Sequence, residues 1–174
     1  MSLVWLAAAV LVALSAWAAV VDARTRRIPN ACCAGVAACG VCLQLARLAT
    51  GAIPLLGKPL MAFVVACVVL LAGFAAEMLY RRVAGRAGLG LGDVKLAAAW
   101  AVSLGWLVVP AFAVACLLGA VWALATRQRT FALGPWLSAA FAGALLLTCL
   151  VSWRLADMEQ PGSTCFGTGT YALR

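Results

Sequence analysis

Five residues of this 174-residue chain carry a carboxylate side chain: Asp22, Glu77, Asp93, Asp157 and Glu159. Histidine is absent, which removes imidazole chemistry and most transition-metal sites. Carboxyl and thiol groups are what remains. Asp22 and Asp93 each border an apolar run, where an acidic group is costly and by default a functional candidate. Two carboxyl groups held close cannot both ionise readily, so they share a proton. One can then take a proton from water while the other gives one to a carbonyl oxygen. Ahead of Asp93 the chain reads Gly88-Leu89-Gly90-Leu91-Gly92. Alternating glycines keep the backbone clear of side chains, let an extended peptide approach, and allow φ values other residues resist. That suits chemistry on a peptide bond.

Each residue also has a plainer reading. Asp93 follows glycines and precedes an apolar run, so it fits a helix N-cap worth about 1 kcal/mol. Asp22 ends an apolar run, where the helix dipole disfavours negative charge. A pair with Arg26 would excuse it, at about 0–1 kcal/mol for an exposed ion pair. If the two carboxyls meet, the helix ends assign them roles: Asp93 starts as the anionic base and Asp22 as the protonated partner. Glu77 stands four residues before Arg81, the spacing of a helical ion pair. Of the eight cysteines, all but Cys165 lie inside apolar segments, where Cys packs as a small hydrophobe.

The elements that position these groups follow from composition. The chain is 67% hydrophobic and 10% charged, whereas a soluble domain is about 45–50% apolar and about 25% charged. That excludes a soluble globular protein, a disordered chain and a nucleic-acid-binding domain. A chain this short cannot bury so much apolar surface in its own core, so the remainder faces lipid. The net charge of +8 is dispersed in short runs between apolar stretches, the pattern of membrane anchors rather than of a basic patch.

A bilayer core takes about 20 apolar residues per helix. Spans are predicted over Leu3–Val21, Ala31–Leu48, Leu60–Tyr80 and Trp136–Trp153. The first has no preceding Lys or Arg and exceeds the apolar region of a signal peptide, so it reads as a retained helix. Val94–Thr126 is long for one span and short for two, and Gly105 and Pro110 offer a break. Charge arbitrates. Six spans put nine basic residues on one side and four on the other, whereas five spans give seven against six. The positive-inside rule selects six, with Asp22 and Asp93 both at the cytoplasmic face. The predicted architecture is all-α: a polytopic membrane helical bundle of about six transmembrane helices. Residues 1–153 form one membrane-embedded domain, and 154–174 form a polar tail that reads as poorly ordered.

Asp22 with Arg24, Arg26, Arg27 and Ile28-Pro29-Asn30, followed far downstream by Gly90-Leu91-Gly92-Asp93-Val94-Lys95-Leu96, resembles the type IV prepilin peptidases. These are membrane aspartic proteases of the GxGD kind. Phe131-Ala-Leu-Gly-Pro135 is similar to the family's Phe-Gly-Pro stretch before its last helix, displaced by the inserted Ala-Leu. The resemblance implies that Asp22 and Asp93 are the catalytic pair. It implies that they cut the leader from prepilins or pseudopilins at the cytoplasmic face of the bacterial inner membrane. Pro29, Asn30, Gly90, Gly92 and Lys95 then supply active-site backbone or substrate contacts. Lys95 reads equally as an interface anchor, and Asn30 as the N-cap of the second helix. Larger relatives carry a cytoplasmic N-methylating domain with two Cys-x-x-Cys pairs. Here the first span runs directly into the Asp22 loop, so the chain resembles the short, peptidase-only branch associated with Tad/Flp pili. No metal or organic cofactor is implied.

Two rival readings use the same residues. A proton-coupled transporter would employ Asp22 and Asp93 as relay groups, but both lie at one membrane edge and no duplicated half is evident. A membrane thiol oxidoreductase would employ Cys39-Gly-Val-Cys42, but that pair is mid-span without a cation or helix N-terminus to activate it.

Overall fold

The computed structural model describes residues 2–25, 28–49, 59–85, 90–127 and 133–158. Arg26, Gly88, Phe131 and the tail from residue 159 onward lie outside the described residues, as do the readings that fell on them. Six α-helices are described: α1 (Ser2–Thr25), α2 (Asn30–Ala49), α3 (Pro59–Ala84), α4 (Leu91–Leu104), α5 (Val108–Thr126) and α6 (Gly134–Met158). Among the described residues there is no strand, and the chain is a polytopic helical bundle.

Five apolar stretches are long enough to cross a membrane, and the fourth runs from Leu91 to Thr126. That stretch is two helices joined by a 3₁₀ turn over Gly105–Leu107. Gly105 adopts φ +55°, a left-handed conformation that glycine tolerates best, and its N–H closes on the Ala101 carbonyl. Pro110 does not break the chain. It falls in the first turn of α5, where its missing N–H has no intrahelical partner to lose.

Contacts at the two ends of the bundle fix the direction of each helix. At one end Asp22 of α1 meets Gly134 of α6, Asn30 of α2 meets Lys95 of α4, and Trp122 of α5 stacks 5.7 Å from Trp136 of α6. At the other end Arg47 of α2 reaches Ser103 of α4 and Cys149 of α6. So α4 leaves the aspartate end and α5 returns to it. The predicted six-helix arrangement follows, with the division at Gly105.

The shortest helix is the core. Ten of the fourteen residues of α4 are buried, including Trp100 and the alanines at 97, 98, 99 and 101. A helix apolar on every side belongs inside a bundle, and its alanines let neighbouring backbones come close. It packs against α3, α2 and α6, while α1 packs on α2 and α6. A Cβ on Gly40 of α2 would sit 3.3 Å from Val102, and one on Gly73 of α3 would sit 2.6 Å from Val94. Beyond that crossing α3 continues through Ala84, roughly 16 Å further at 1.5 Å per residue. It therefore forms a wall rising past the start of α4. On it Glu77 is buried and accepts from Arg81 Nε at 2.6 Å, the ion pair that the spacing predicted.

Several helices outrun their predicted limits. α1 continues past Val21 to Thr25, α3 past Tyr80 to Ala84, and α6 past Trp153 to Met158. The polar tail therefore begins as helix. Hydropathy marks where lipid stops, and a helix need not stop there because its hydrogen bonds are internal.

Candidate active site

Asp22 lies in the last turn of α1 and is only 7% exposed. Its Oδ2 accepts the N–H of Gly134, the first residue of α6, at 3.1 Å. A Cβ on Gly134 would lie 2.9 Å from both Cβ and Cγ of Asp22, so only glycine permits this approach. Ser138, one turn further along α6, donates to the Ser15 carbonyl two turns back along α1 at 3.1 Å. Together these bonds lock the start of α6 onto the end of α1. A helix C-terminus alone predicts the protonated form of Asp22. The fold sets a helix N-terminus against the same carboxyl group, with an N–H donor and a positive helix end. Both aspartates thus face helix N-termini, and helix ends no longer distinguish acid from base.

Asp93 is half-buried in the first turn of α4. Its own N–H donates to the Gly90 carbonyl at 3.0 Å, so its side chain is not used as an N-cap; Gly90 occupies that position. Trp100 lies seven residues on, hence on the same face of α4. Its ring packs 5.7 Å from Phe141 of α6. The Asp93 face is therefore turned toward α6, whose N-terminus holds Asp22. The two carboxyl groups are close enough to feel one another's charge.

The glycines before Asp93 act through space rather than through unusual dihedrals. Gly90 has φ −66° and ψ 133°, values open to any residue. A Cβ there would lie 3.2 Å from Asp93 Oδ2, and one on Gly92 would lie 3.2 Å from the Ile28 Cβ. The α1–α2 connection is thus laid directly on the Gly90–Asp93 turn. Pro29 caps α2: its carbonyl accepts from Cys32 N at 3.0 Å and Cys33 N at 3.4 Å. Asn30 is therefore the first helical residue of α2 and not its N-cap. Its Oδ1 accepts from Lys95 Nζ at 3.1 Å. Lys95, two residues after Asp93, projects from the opposite face of α4, and the structure does not bring its ammonium to the carboxyl pair.

Two residues have roles that their sequence context does not announce or announces only faintly. Nothing in the type of Gly134 announces a carboxyl partner 112 positions away. Gln44 is a polar residue near the end of the second span. It is buried, and its Nε2 donates to the Val102 carbonyl at 3.0 Å, while Arg47 Nη1 donates to the Ser103 carbonyl at 3.3 Å. These are last-turn carbonyls of α4, which the helix itself leaves without partners. The signal was available: a buried amide in a membrane span needs a partner. Cys39 and Cys42 are free thiols within α2, and neither forms a disulfide.

Among curated proteins and among solved structures no match to the chain is found. The description "Type IV leader peptidase family" matches residues 9–124, a stretch holding both aspartates and most of the chain. With that match over a helical membrane bundle, the chain belongs to the type IV leader peptidase family.

Proposed function

We propose that this protein is an aspartic endopeptidase of the bacterial inner membrane, using Asp22 and Asp93 to cut leaders from prepilin-like or pseudopilin substrates. The observation that carries this reading is the convergence of two lone acids, from α1 and α4, at one end of the bundle. Family membership independently supports leader-peptidase activity of the aspartic type. Cleavage takes place at the cytoplasmic face, where the basic loops place the aspartate end. The protein serves pilus assembly or secretion and acts as a peptidase without the N-methylating activity of its larger relatives.

The chemistry needs one carboxylate and one carboxylic acid. The carboxylate removes a proton from a water molecule whose oxygen adds to the scissile carbonyl carbon. The acid gives its proton to the carbonyl oxygen. The resulting tetrahedral diol collapses as the C–N bond breaks: the leaving nitrogen takes up a proton from the first group, and a diol hydroxyl returns its proton to the second as the new carboxyl group forms. The pair returns to its starting charge, and neither aspartate forms a covalent bond. Gly134 N–H holds Asp22 in place, and the absence of a Cβ at 90 and 92 lets the Asp93 carboxyl and the Ile28 segment pack against the turn that presents Asp93.

The test is co-expression with prepilins and pseudopilins of the same genome, reading leader loss by mass shift. One or more should lose the leader with the protein and keep it without. Retention of every leader by correctly inserted protein would overturn the reading. A transporter using the same acids would leave all precursors intact.

A further inference from the structure

α2 and α3 both pack lengthwise on α4, and the face of α4 opposite Asp93 is left open between them. A cleft of about 460 Å³ runs there, floored by Ala98 and flanked by Ala34, Ala37 and Ala66. Its outer lining includes exposed side chains, and all three helices are apolar enough to lie in a bilayer, so the opening faces lipid. The polarity of the lining is one-sided. Lys95 and Asn30 are its polar residues, and both sit at the mouth nearest the aspartate end. One N–H of the Lys95 ammonium is used on Asn30 Oδ1 at 3.1 Å. No described carboxylate forms a salt bridge with Lys95. From that mouth to Val102 the cleft follows α4 for seven residues, about 10 Å.

We propose that this cleft is a binding site for one anionic phospholipid. Its phosphate accepts from Lys95 Nζ and the Asn30 amide, and one acyl chain lies along the alanine floor. Charge complementarity selects this occupant. A transmembrane helix, from a second copy or another protein, would cover the ammonium with apolar side chains and provide no counter-charge, which is costly in a bilayer. A lipid places its negative headgroup at the bilayer surface and its hydrocarbon below, the same order as the lining. This inference concerns the flank of α4 away from the carboxyl pair and stands independently of the peptidase reading.

The experiment is native mass spectrometry of the full chain released from nanodiscs containing equal amounts of phosphatidylglycerol and phosphatidylcholine. One lipid should be retained per chain, with about fivefold preference for phosphatidylglycerol from a single lysine at the surface. Lys95→Gln should abolish the preference and Lys95→Arg should keep it. Ala34→Phe, at an exposed lining position, should lower retention of both lipids by filling the cleft. Equal retention of the two lipids, an unchanged preference in Lys95→Gln, undiminished retention in Ala34→Phe, or a lipid-free dimer would each overturn the proposal.

Discussion

Gly134 has no room for a side chain, because the carboxyl group of Asp22 occupies the space where a Cβ would go. Gly134→Ala should push α6 off α1, with a penalty of about 1–3 kcal/mol typical of overpacking. Leader cleavage should fall with it. Thermal unfolding in detergent and cleavage in membranes measure the two effects; an alanine variant with unaltered stability and activity would show that the Asp22–Gly134 contact is not needed. At this scale the acids themselves were legible, since a charge beside an apolar run is conspicuous. The direction of Lys95 was legible once α4 was placed, because two residues of sequence separation put side chains on opposite helix faces, away from Asp93. The cysteines give a control. Cys39→Ala with Cys42→Ala removes the dithiol while leaving the aspartate end untouched, and cleavage should continue at the parental rate. Loss of cleavage there would favour thiol chemistry.

A helix is positioned by what satisfies its ends, and α4 shows this at both. Its first turn is set by Gly90 and overlaid by the Ile28 segment. Its last-turn carbonyls at Val102 and Ser103 are met by Gln44 and Arg47 of α2. α2 thus grips α4 at its far end, while Lys95 and Asn30 join the same two helices at the near end. Replacing Gln44 with Leu should destabilise the bundle by about 0.6–2 kcal/mol, the range for buried hydrogen bonds between membrane helices. A lower unfolding temperature would report the loss, and an unchanged one would mean the Gln44 bond contributes nothing. The division of the Leu91–Thr126 stretch was visible in sequence because Gly105 is a breaker. Its partner in that reading, Pro110, instead begins α5, since proline is compatible with a first helical turn.

The whole molecule is a bundle whose most buried helix, α4, is central and whose Asp22 and Asp93 lie at one end. Charge favoured six helices because loops and spans alternate, and the break at Gly105 fits that alternation. What the sequence could not disclose were the lateral relations of helices: which face of α4 meets α6, and where α2 and α3 leave a cleft. Apolar periodicity is weak when most faces touch either lipid or small residues. Six crossings put the α1–α2, α3–α4 and α5–α6 connections on one side. A reporter fused after Arg127 should therefore report the same side as one fused after Gly85, and opposite sides would restore the five-crossing arrangement. The claim on which the account rests is that Asp22 and Asp93 act as one unit. It is tested by leader cleavage in Asp22→Asn, Asp93→Asn and the double variant, each confirmed to insert in the membrane. Each single change should reduce the rate by about 10²–10⁴-fold, and the double variant should be no slower than the worse single one. Cleavage at the parental rate by either single variant would contradict it.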